Sequence, residues 1–142
     1  MSELAQQVEE KAALTVAQFQ DRAGGALDLT PDSLAIIEEM LAEAAEFADQ
    51  IGPEQIETIC ELMGSYLLQV GYTEHGGTYC WSDESDQPVL VTGEPRYRVA
   101  LMTFDKIRGR LSGDAADNIP FFYQGFSDRV RTARDGEDVL FA

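Results

Sequence analysis

The sequence has few of the residues that hold metal ions or activate nucleophiles. It contains one histidine, His75, and two cysteines, Cys60 and Cys80, which do not form a Cys-x-x-Cys pair. A zinc site needs several such ligands at short spacing, so no metal or other cofactor is predicted. A catalytic thiol would need a cysteine beside His75. A buried structural thiol is the simpler interpretation of both cysteines.

Glycine motifs of hydrolases and nucleotide-binding proteins are also missing. Gly64-Ser65 lies within a predicted helix and is not part of a Gly-x-Ser-x-Gly elbow. Gly76-Gly77 precedes a predicted strand, whereas phosphate-binding glycine loops lead into a helix. These absences favour a non-enzymatic protein and leave an enzyme as the alternative.

Basic residues are scarce. Ten lysines and arginines stand against 26 acids, so the formal charge of the 142-residue chain is −16. This balance argues against nucleic acid and anionic membranes as partners. One interpretation of the acidic surface is solubility, and the other is attraction to a basic protein partner. Seven of the eight arginines lie between Arg96 and Arg134, where pairing with nearby acids is favoured over a basic patch.

Long hydrophobic runs are missing too. No stretch approaches the length needed to cross a bilayer, so no membrane association is predicted. The first residues, Met1–Ala5, do not combine a basic region with an apolar run, as a secretory signal would. We therefore expect a cytoplasmic protein with reduced cysteines. The length predicts a single domain over residues 1–142.

Apolar residues recur with helical spacing in five segments. The first predicted helix covers 3–22, the second begins at Pro31 with Thr30 as N-cap, and the third begins at Pro53 and is ended by Gly71 as a left-handed cap. The fourth covers 104–110 after Thr103, and the fifth runs from about Asn118 or Ile119 to Ala133, with Asp117 available as cap. Gly64 inside the third helix predicts that another backbone packs closely there. The first helix has a thin apolar stripe, so residues 1–25 are predicted to be peripheral or to form a homodimer.

The pattern changes to strands in the second half. Residues 78–82, 88–92 and 97–101 predict a three-stranded antiparallel meander, which the second and third helices cover. The predicted fold class is thus α+β, with two to three N-terminal helices on the meander and two helices after it. Val139–Phe141 either docks back on the domain or stays free.

One group of side chains suggests a binding site. It combines aromatic residues with arginines, because neighbouring strands bring Trp81 and Arg98 together in the predicted meander. The alternative is that Trp81 fills the core and the arginines pair with surface acids. The candidate binding residues are Tyr66, Tyr79, Trp81, Arg96 and Arg98, with Arg108 and Arg110 as further members.

Several short motifs are shared with a bacterial family. LDLTPDSL at residues 27–34 is followed by Gly64-Ser65-Tyr66, Gly76-Gly77, Trp81, Arg108-x-Arg110-Leu111, Asp117 and Phe122-Tyr123. With these motifs the chain resembles domain of unknown function 3806, or a close relative, over residues 27–126. Leu68-Gln69 departs from the Gly-Glu that such domains tend to have after the helix tyrosine. The resemblance implies a small helix-plus-meander domain and supplies no activity, cofactor or catalytic residue.

Charge and missing motifs together predict a non-enzymatic binding or interaction module. Its partner would be a basic protein, as for a small immunity-like inhibitor. The alternative is a small-molecule-binding protein or enzyme with a pocket near Tyr66, Trp81 and Arg98.

Overall fold

The protein is an α+β domain of five α-helices and a four-stranded mixed sheet in the part of the chain described by a computed structural model, residues 2–114 and 118–142. Over these ranges, no helix combines the length and apolarity that crossing a membrane requires. The elements are α1 (Glu3–Phe19), α2 (Leu34–Glu46), α3 (Pro53–His75), β1 (Thr78–Ser82), β2 (Gln87–Thr92), β3 (Arg98–Leu101), α4 (Phe104–Leu111), α5 (Ile119–Thr132) and β4 (Asp138–Phe141).

The sheet has the strand order β1-β2-β3-β4. The first three strands pair antiparallel, as the sequence predicts, with Trp81 opposite Pro88 and Val91 opposite Ala100. The prediction of a purely antiparallel three-stranded meander is wrong, because β4 adds to β3 in parallel. A parallel neighbour requires a long crossover, which α4 and α5 provide. Three apolar residues such as Val139–Phe141 do not reveal their pairing partner. The sequence therefore does not distinguish a docked segment from a free end.

Helix α3 is longer than predicted. Gly71 does not end it; the helix continues to His75, and Gly76 takes the positive φ of 72° at its end. Gly71 is buried where an added Cβ would lie 3.0 Å from Leu90 and 3.3 Å from Leu101. The missing side chain at Gly71 therefore lets the sheet approach the helix. A glycine is needed here for close packing, and not for a left-handed backbone conformation.

The start of α2 also differs from the prediction. Thr30 makes no capping hydrogen bond, and Pro31–Ser33 forms a 3-10 turn before the helix begins at Leu34. The Thr30 hydroxyl donates instead to the carboxylate of Asp28. This side chain therefore contacts Asp28 and does not cap the helix. At α5, the predicted cap Asp117 lies outside the described residues, and Asn118 accepts the capping hydrogen bond from the Phe121 amide over 3.0 Å.

The core lies between the sheet and the helices, with α3 at its centre. Tyr66, Leu67 and Leu68 of α3 are fully buried, and α1 packs along the same helix through Val8, Ala12 and Thr15. A homodimer through α1 stays a prediction, for which the exposed Leu14 is the available apolar residue. Cys60 is buried as expected, but the expectation of a buried thiol at Cys80 is wrong, because Cys80 lies on the outer face of β1, an edge strand of the sheet.

Candidate functional site

The structure does not bring the five predicted binding residues into one cluster. Strand β2 separates Trp81 on β1 from Arg98 on β3. Trp81 pairs with Pro88 near the start of β2, whereas Arg98 lies beyond the Thr92–Val99 pair at its other end. The expectation that neighbouring strands join Trp81 to Arg98 is therefore wrong. A meander places its second strand between the first and the third, so the expected pairing was inconsistent with the predicted meander itself.

The two predicted tyrosines are structural parts of the interior. The Tyr66 hydroxyl accepts from the Leu29 amide over 2.9 Å and lies 2.7 Å from Ser33 Oγ. Burial raises the pKa of Tyr66, despite hydrogen bonds that favour the ionised form. Tyr79 donates to Gln69 and stacks on Tyr72 with 5.6 Å between ring centroids. Neither phenol is available to a ligand.

The two predicted arginines form ion pairs at the surface. Arg96 lies 3.1 Å from Asp135, and Arg98 lies 3.3 Å from Asp138, its register partner on β4. Ion pairs are also formed by other arginines in the second half of the chain, by Arg108, Arg129 and Arg131 in more exposed positions and by Arg110 in a largely buried pair with Glu38. These contacts confirm the prediction that the arginines pair with acidic residues.

Trp81 does not fill the core: 48% of its surface is exposed. It lines a concave site of about 290 Å³ between α1, α3, the β1–β2 turn and the start of α4, which we call the Trp81 cleft. Ser65 of α3 is only 1% exposed and forms part of the floor. The charged side chains of the cleft are Lys11, Glu57, Glu61, Asp86, Asp105 and Arg108.

A close contact between α3 and α4 shapes the cleft. The ring of Phe104 and the hydroxyl of Thr103 occupy the space that a Cβ at Gly64 would need. Thr103 also donates a 2.7 Å hydrogen bond to the Gly64 carbonyl. The start of α4 therefore packs closely on Gly64, but with the side chains of Phe104 and Thr103 and not with the backbone that the sequence predicted. The same helix carries Asp105 and Arg108 to the cleft.

Gln87 links the hairpin to the same helix. Its side chain is buried, its amide nitrogen donates to Asp105 over 3.3 Å, and its amide oxygen accepts from the Phe104 backbone over 3.2 Å. One side chain therefore satisfies a free N–H at the start of α4 and fixes the position of Asp105. A glutamine at the start of a strand gives no sequence signal for this role.

The charges of the cleft are mostly paired. Arg108 contacts both Glu57 and Asp105 at 2.6 Å, and Lys11 lies 3.3 Å from Glu61. Asp86 has no ion-pair partner in the described ranges. Four carboxylates thus face two cations, which leaves the cleft with a negative surplus.

The hydroxyl of Ser65 is unusual in this setting. Its Oγ is buried and has no hydrogen-bond partner among residues 2–114 and 118–142. Buried polar groups are nearly always hydrogen-bonded, because an unsatisfied group loses its interactions with water and gains nothing in return. Ser65 is therefore the cleft residue whose chemistry most calls for an external partner. Its position beside Gly64 in the sequence does not reveal this.

A second polar cluster surrounds the single histidine, and the sequence analysis missed it. His75 Nε2 lies 2.8 Å from Ser127 Oγ and 3.1 Å from Glu74 Oε1. Ser127 and Tyr123 donate to the same Glu74 oxygen over 2.9 and 2.6 Å, and Arg131 contacts the other oxygen at 3.0 Å. Tyr123, Ser127 and Arg131 belong to α5, which is distant from His75 in the sequence. No local spacing of residues therefore predicts this cluster.

The geometry of this cluster is not that of a nucleophilic triad. In a Ser-His-acid triad the serine and the acid bind different nitrogens of the imidazole, whereas Ser127 and Glu74 both approach Nε2. Ser127 is also buried in the middle of α5. The arrangement joins the end of α3 to α5 and offers no exposed nucleophile.

The ionisation of the cluster follows from its burial and its charges. Burial lowers the pKa of His75 more than Glu74 raises it, so the imidazole favours the neutral form. Partial burial opposes ionisation of Glu74, but hydrogen bonds from Tyr123 and Ser127, together with the nearby cations, lower its pKa overall. The His75–Glu74 contact near neutral pH is therefore a hydrogen bond between a neutral ring and a carboxylate.

The buried Cys60 adds no reactive site to these clusters. Burial raises the pKa of Cys60 to about 11, which keeps its thiol protonated. Within the described ranges, no group of three or more histidine, cysteine, aspartate or glutamate side chains is arranged to hold a metal ion.

Comparison with family models, curated proteins and solved structures found no match to this chain. The resemblance of residues 27–126 to domain of unknown function 3806 stays a prediction. The features of this chain that bear on its function are therefore the Trp81 cleft and the charge of the molecule.

Proposed function

We propose that this protein is a non-enzymatic binding module that acts as the acidic partner of a basic protein. The observation that carries the proposal is the Trp81 cleft, where a half-exposed tryptophan lies among four carboxylates and two cations. Tryptophan is among the residues that contribute most to binding energy at protein interfaces, because it buries a large rigid surface.

The charge of the whole molecule supports the same partner. A chain with a formal charge of −16 attracts a basic protein over distances of about one Debye length, about 10 Å at 0.1 M salt. This attraction raises the rate of encounter, and the cleft supplies the specific contact. An immunity-like inhibitor of a basic protein combines these two features.

Capture experiments with matched variants test the proposal. The tagged chain, its Trp81→Ala variant and its Phe121→Ala variant serve as baits at low salt. Phe121 is a more exposed aromatic residue that lies outside the cleft. We expect a basic protein to bind the wild type and Phe121→Ala, to be lost with Trp81→Ala, and to elute with salt. Capture of no basic protein, or equal capture by all three baits, would contradict the proposal.

A second candidate is binding of a small molecule in the same cleft. Its volume of about 290 Å³ is just below the range of about 300–1,000 Å³ typical of ligand pockets. Trp81 and Arg108 line this cleft, whereas Tyr66 and Arg98, which the sequence analysis grouped with Trp81, lie elsewhere. Native mass spectrometry of the purified protein tests it: a bound mass that disappears in Trp81→Ala supports a small ligand, and the bare chain mass argues against one.

The cytoplasmic location remains part of the proposal. The two free cysteines support it, because a reducing compartment preserves an exposed thiol such as that of Cys80. Fluorescence microscopy of a tagged chain in its own cells would test the location directly.

A further inference from the structure

We infer that the Trp81 cleft binds an organic cation, either an alkylammonium or a guanidinium group. The inference rests on the proposed binding role of this cleft and names the chemistry that the cleft selects. Two sources carry this chemistry, a lysine or arginine side chain of a protein partner and a free polyamine.

The charges of the cleft favour a cation over an anion. Arg108 is held between Glu57 and Asp105, with 2.6 Å contacts to each, so both of its terminal nitrogens already have a carboxylate partner. Lys11 is paired with Glu61. An anionic ligand would have to displace these carboxylates and would also meet the repulsion of a molecule with a charge of −16. A cation meets a surplus of negative charge instead.

Asp86 provides the carboxylate for the cation. It lines the cleft, is exposed, and has no ion-pair partner in the part of the chain that the structure describes. Its backbone has a φ of 54°, a left-handed conformation that aspartate and asparagine adopt more readily than most residues. The turn that holds it is closed by a 2.7 Å hydrogen bond from the Asp86 amide to the Ser82 carbonyl.

Ser65 provides a second, independent argument. A hydroxyl oxygen has two lone pairs, and that of Ser65 is buried at the cleft floor without a partner among the described residues. Ammonium and guanidinium groups carry only donors, so they complement this acceptor. A ligand that reaches Ser65 with an N–H group removes the cost of leaving the oxygen unsatisfied.

Trp81 completes the site as an aromatic wall. Cations are attracted to the face of an indole ring within about 6 Å of its centroid. The aliphatic part of a lysine or arginine side chain also packs well on the apolar surface of Trp81 and Phe104, which both line the cleft. The cleft therefore combines one carboxylate, one unsatisfied acceptor and one aromatic face.

Fluorescence of Trp81 gives a direct test, because it is the only tryptophan in the chain. The probes are N-acetyl-lysine methylamide, agmatine and spermidine as cations, N-acetyl-norleucine methylamide as the neutral analogue of the lysine probe, and N-acetyl-glutamate methylamide as an anion. We expect a saturable change of emission with the cations only. Tighter binding of the lysine probe indicates a protein side chain, and tighter binding of spermidine indicates a free polyamine.

Variants locate the site. We expect Asp86→Asn and Ser65→Ala to weaken binding of the cations about fivefold to thirtyfold, because Asp86→Asn removes the negative charge that attracts the cation and Ser65→Ala removes a hydrogen-bond acceptor. Asp138→Asn is the matched control, since Asp138 is an exposed aspartate that pairs with Arg98 outside the cleft. Thermal unfolding and circular dichroism of each variant verify that the fold is retained, and Asp86→Asn keeps a residue suited to the left-handed backbone.

The outcomes separate this inference from the proposed function. An equal response to the norleucine or glutamate probe would contradict the inference that the cleft selects a cation. The cleft would then still be a binding site, but for a neutral or anionic group. Absence of any saturable response, or equal affinity in Asp86→Asn, Ser65→Ala and the wild type, also overturns it. In both cases, Trp81-dependent capture of a basic protein would still support the proposed function.

Discussion

At the scale of single residues, Tyr66 illustrates how one buried hydroxyl holds a strained segment. Leu29 has a φ of 62°, which is unfavourable for a leucine, and its amide donates to Tyr66. Replacing Tyr66 by phenylalanine leaves this amide without its partner. We expect Tyr66→Phe to lower the free energy of unfolding by about 1–3 kcal/mol in urea denaturation.

Tyr72→Phe is the control for this prediction. Tyr72 is exposed and contacts Tyr79 by stacking, an interaction that phenylalanine preserves. Its effect should stay within about 0.5 kcal/mol. Equal losses in the two variants would show that the Leu29 contact contributes no stability.

His75 predicts a dependence of stability on pH. Its pKa is lowered on folding from the ordinary value of 6.5, so between the folded pKa and 6.5 the unfolded chain binds the proton and the folded chain does not. Its contribution to stability is therefore present above pH 6.5 and is lost as the pH falls. Glu74, with a pKa lowered from 4.5, adds a second loss below that pH.

Urea unfolding at several pH values between 7.5 and 5 tests this prediction. Because other groups also titrate, the informative quantity is the difference between the wild type and His75→Gln. We expect the stability advantage of the wild type over this variant to shrink as the pH falls below 6.5. A constant advantage would show that folding leaves the pKa of His75 unchanged, and a growing advantage would show that the histidine gains a proton on folding; either result would contradict the prediction.

At the scale of elements, two helical glycines allow a matched comparison. Alanine in a helix is normally more stable than glycine by about 1 kcal/mol. Gly125→Ala in α5 should show this gain, because the new Cβ would lie at an ordinary 3.6 Å from Phe141. Gly64→Ala should instead destabilise by about 1–3 kcal/mol, because the Cβ meets Phe104 and Thr103 at the start of α4.

The same pair of variants tests how the cleft is built. Displacement of α4 by Gly64→Ala should also shift the emission of Trp81, whereas Gly125→Ala should leave it unchanged. Thermal unfolding and fluorescence of both proteins provide the measurements. Stabilisation by Gly64→Ala would mean that α4 does not press against α3 at this point.

Glu38 connects three helices. It lies 2.7 Å from Arg110 of α4 and accepts from the Ile119 amide at the start of α5 over 3.0 Å, and both side chains of the ion pair are about 85% buried. We expect Glu38→Ala to cost about 1.5–3 kcal/mol, since hydrogen bonds to buried charged groups are strong. Glu43→Ala, which breaks an exposed pair with Arg22, should cost less than about 1 kcal/mol.

Chemical denaturation of the two glutamate variants gives the comparison. Equal effects in the two variants would show that the contacts of Glu38 with Arg110 and Ile119 contribute no more than an exposed ion pair.

At the scale of the whole molecule, the net charge makes salt a stabilising agent. Repulsion within a chain of charge −16 disfavours the compact state, and salt screens it. We expect the melting temperature to rise as sodium chloride increases from about 10 mM to about 300 mM. The rise should be smaller for Glu39→Lys, an exposed acid of α2, because this change reduces the repulsion. A falling melting temperature would show that the ion pairs outweigh the repulsion.

Much of the fold follows from local pattern. The strands at Thr78–Ser82 and Gln87–Thr92 and the helix beginning at Pro53 lie close to where alternation, helical spacing and proline predict them. The predicted helix ends at Gly71 and Thr30 are wrong. Gly71 instead packs against Leu90 and Leu101, and the Thr30 hydroxyl donates to Asp28. Local rules could not distinguish the two uses, because each depends on a neighbour that is distant in the sequence.

The sequence by itself determined the α+β class, the three antiparallel strands and the acidic character of the molecule, because hydrophobic periodicity and charge are properties of adjacent residues. Only the tertiary structure decided that β4 joins β3, that Trp81 and Arg98 lie apart, and that Trp81 shares a cleft with Ser65 and Asp86. Strand order and helix packing set these distances, and they are fixed by the burial of the whole core and not by any one segment.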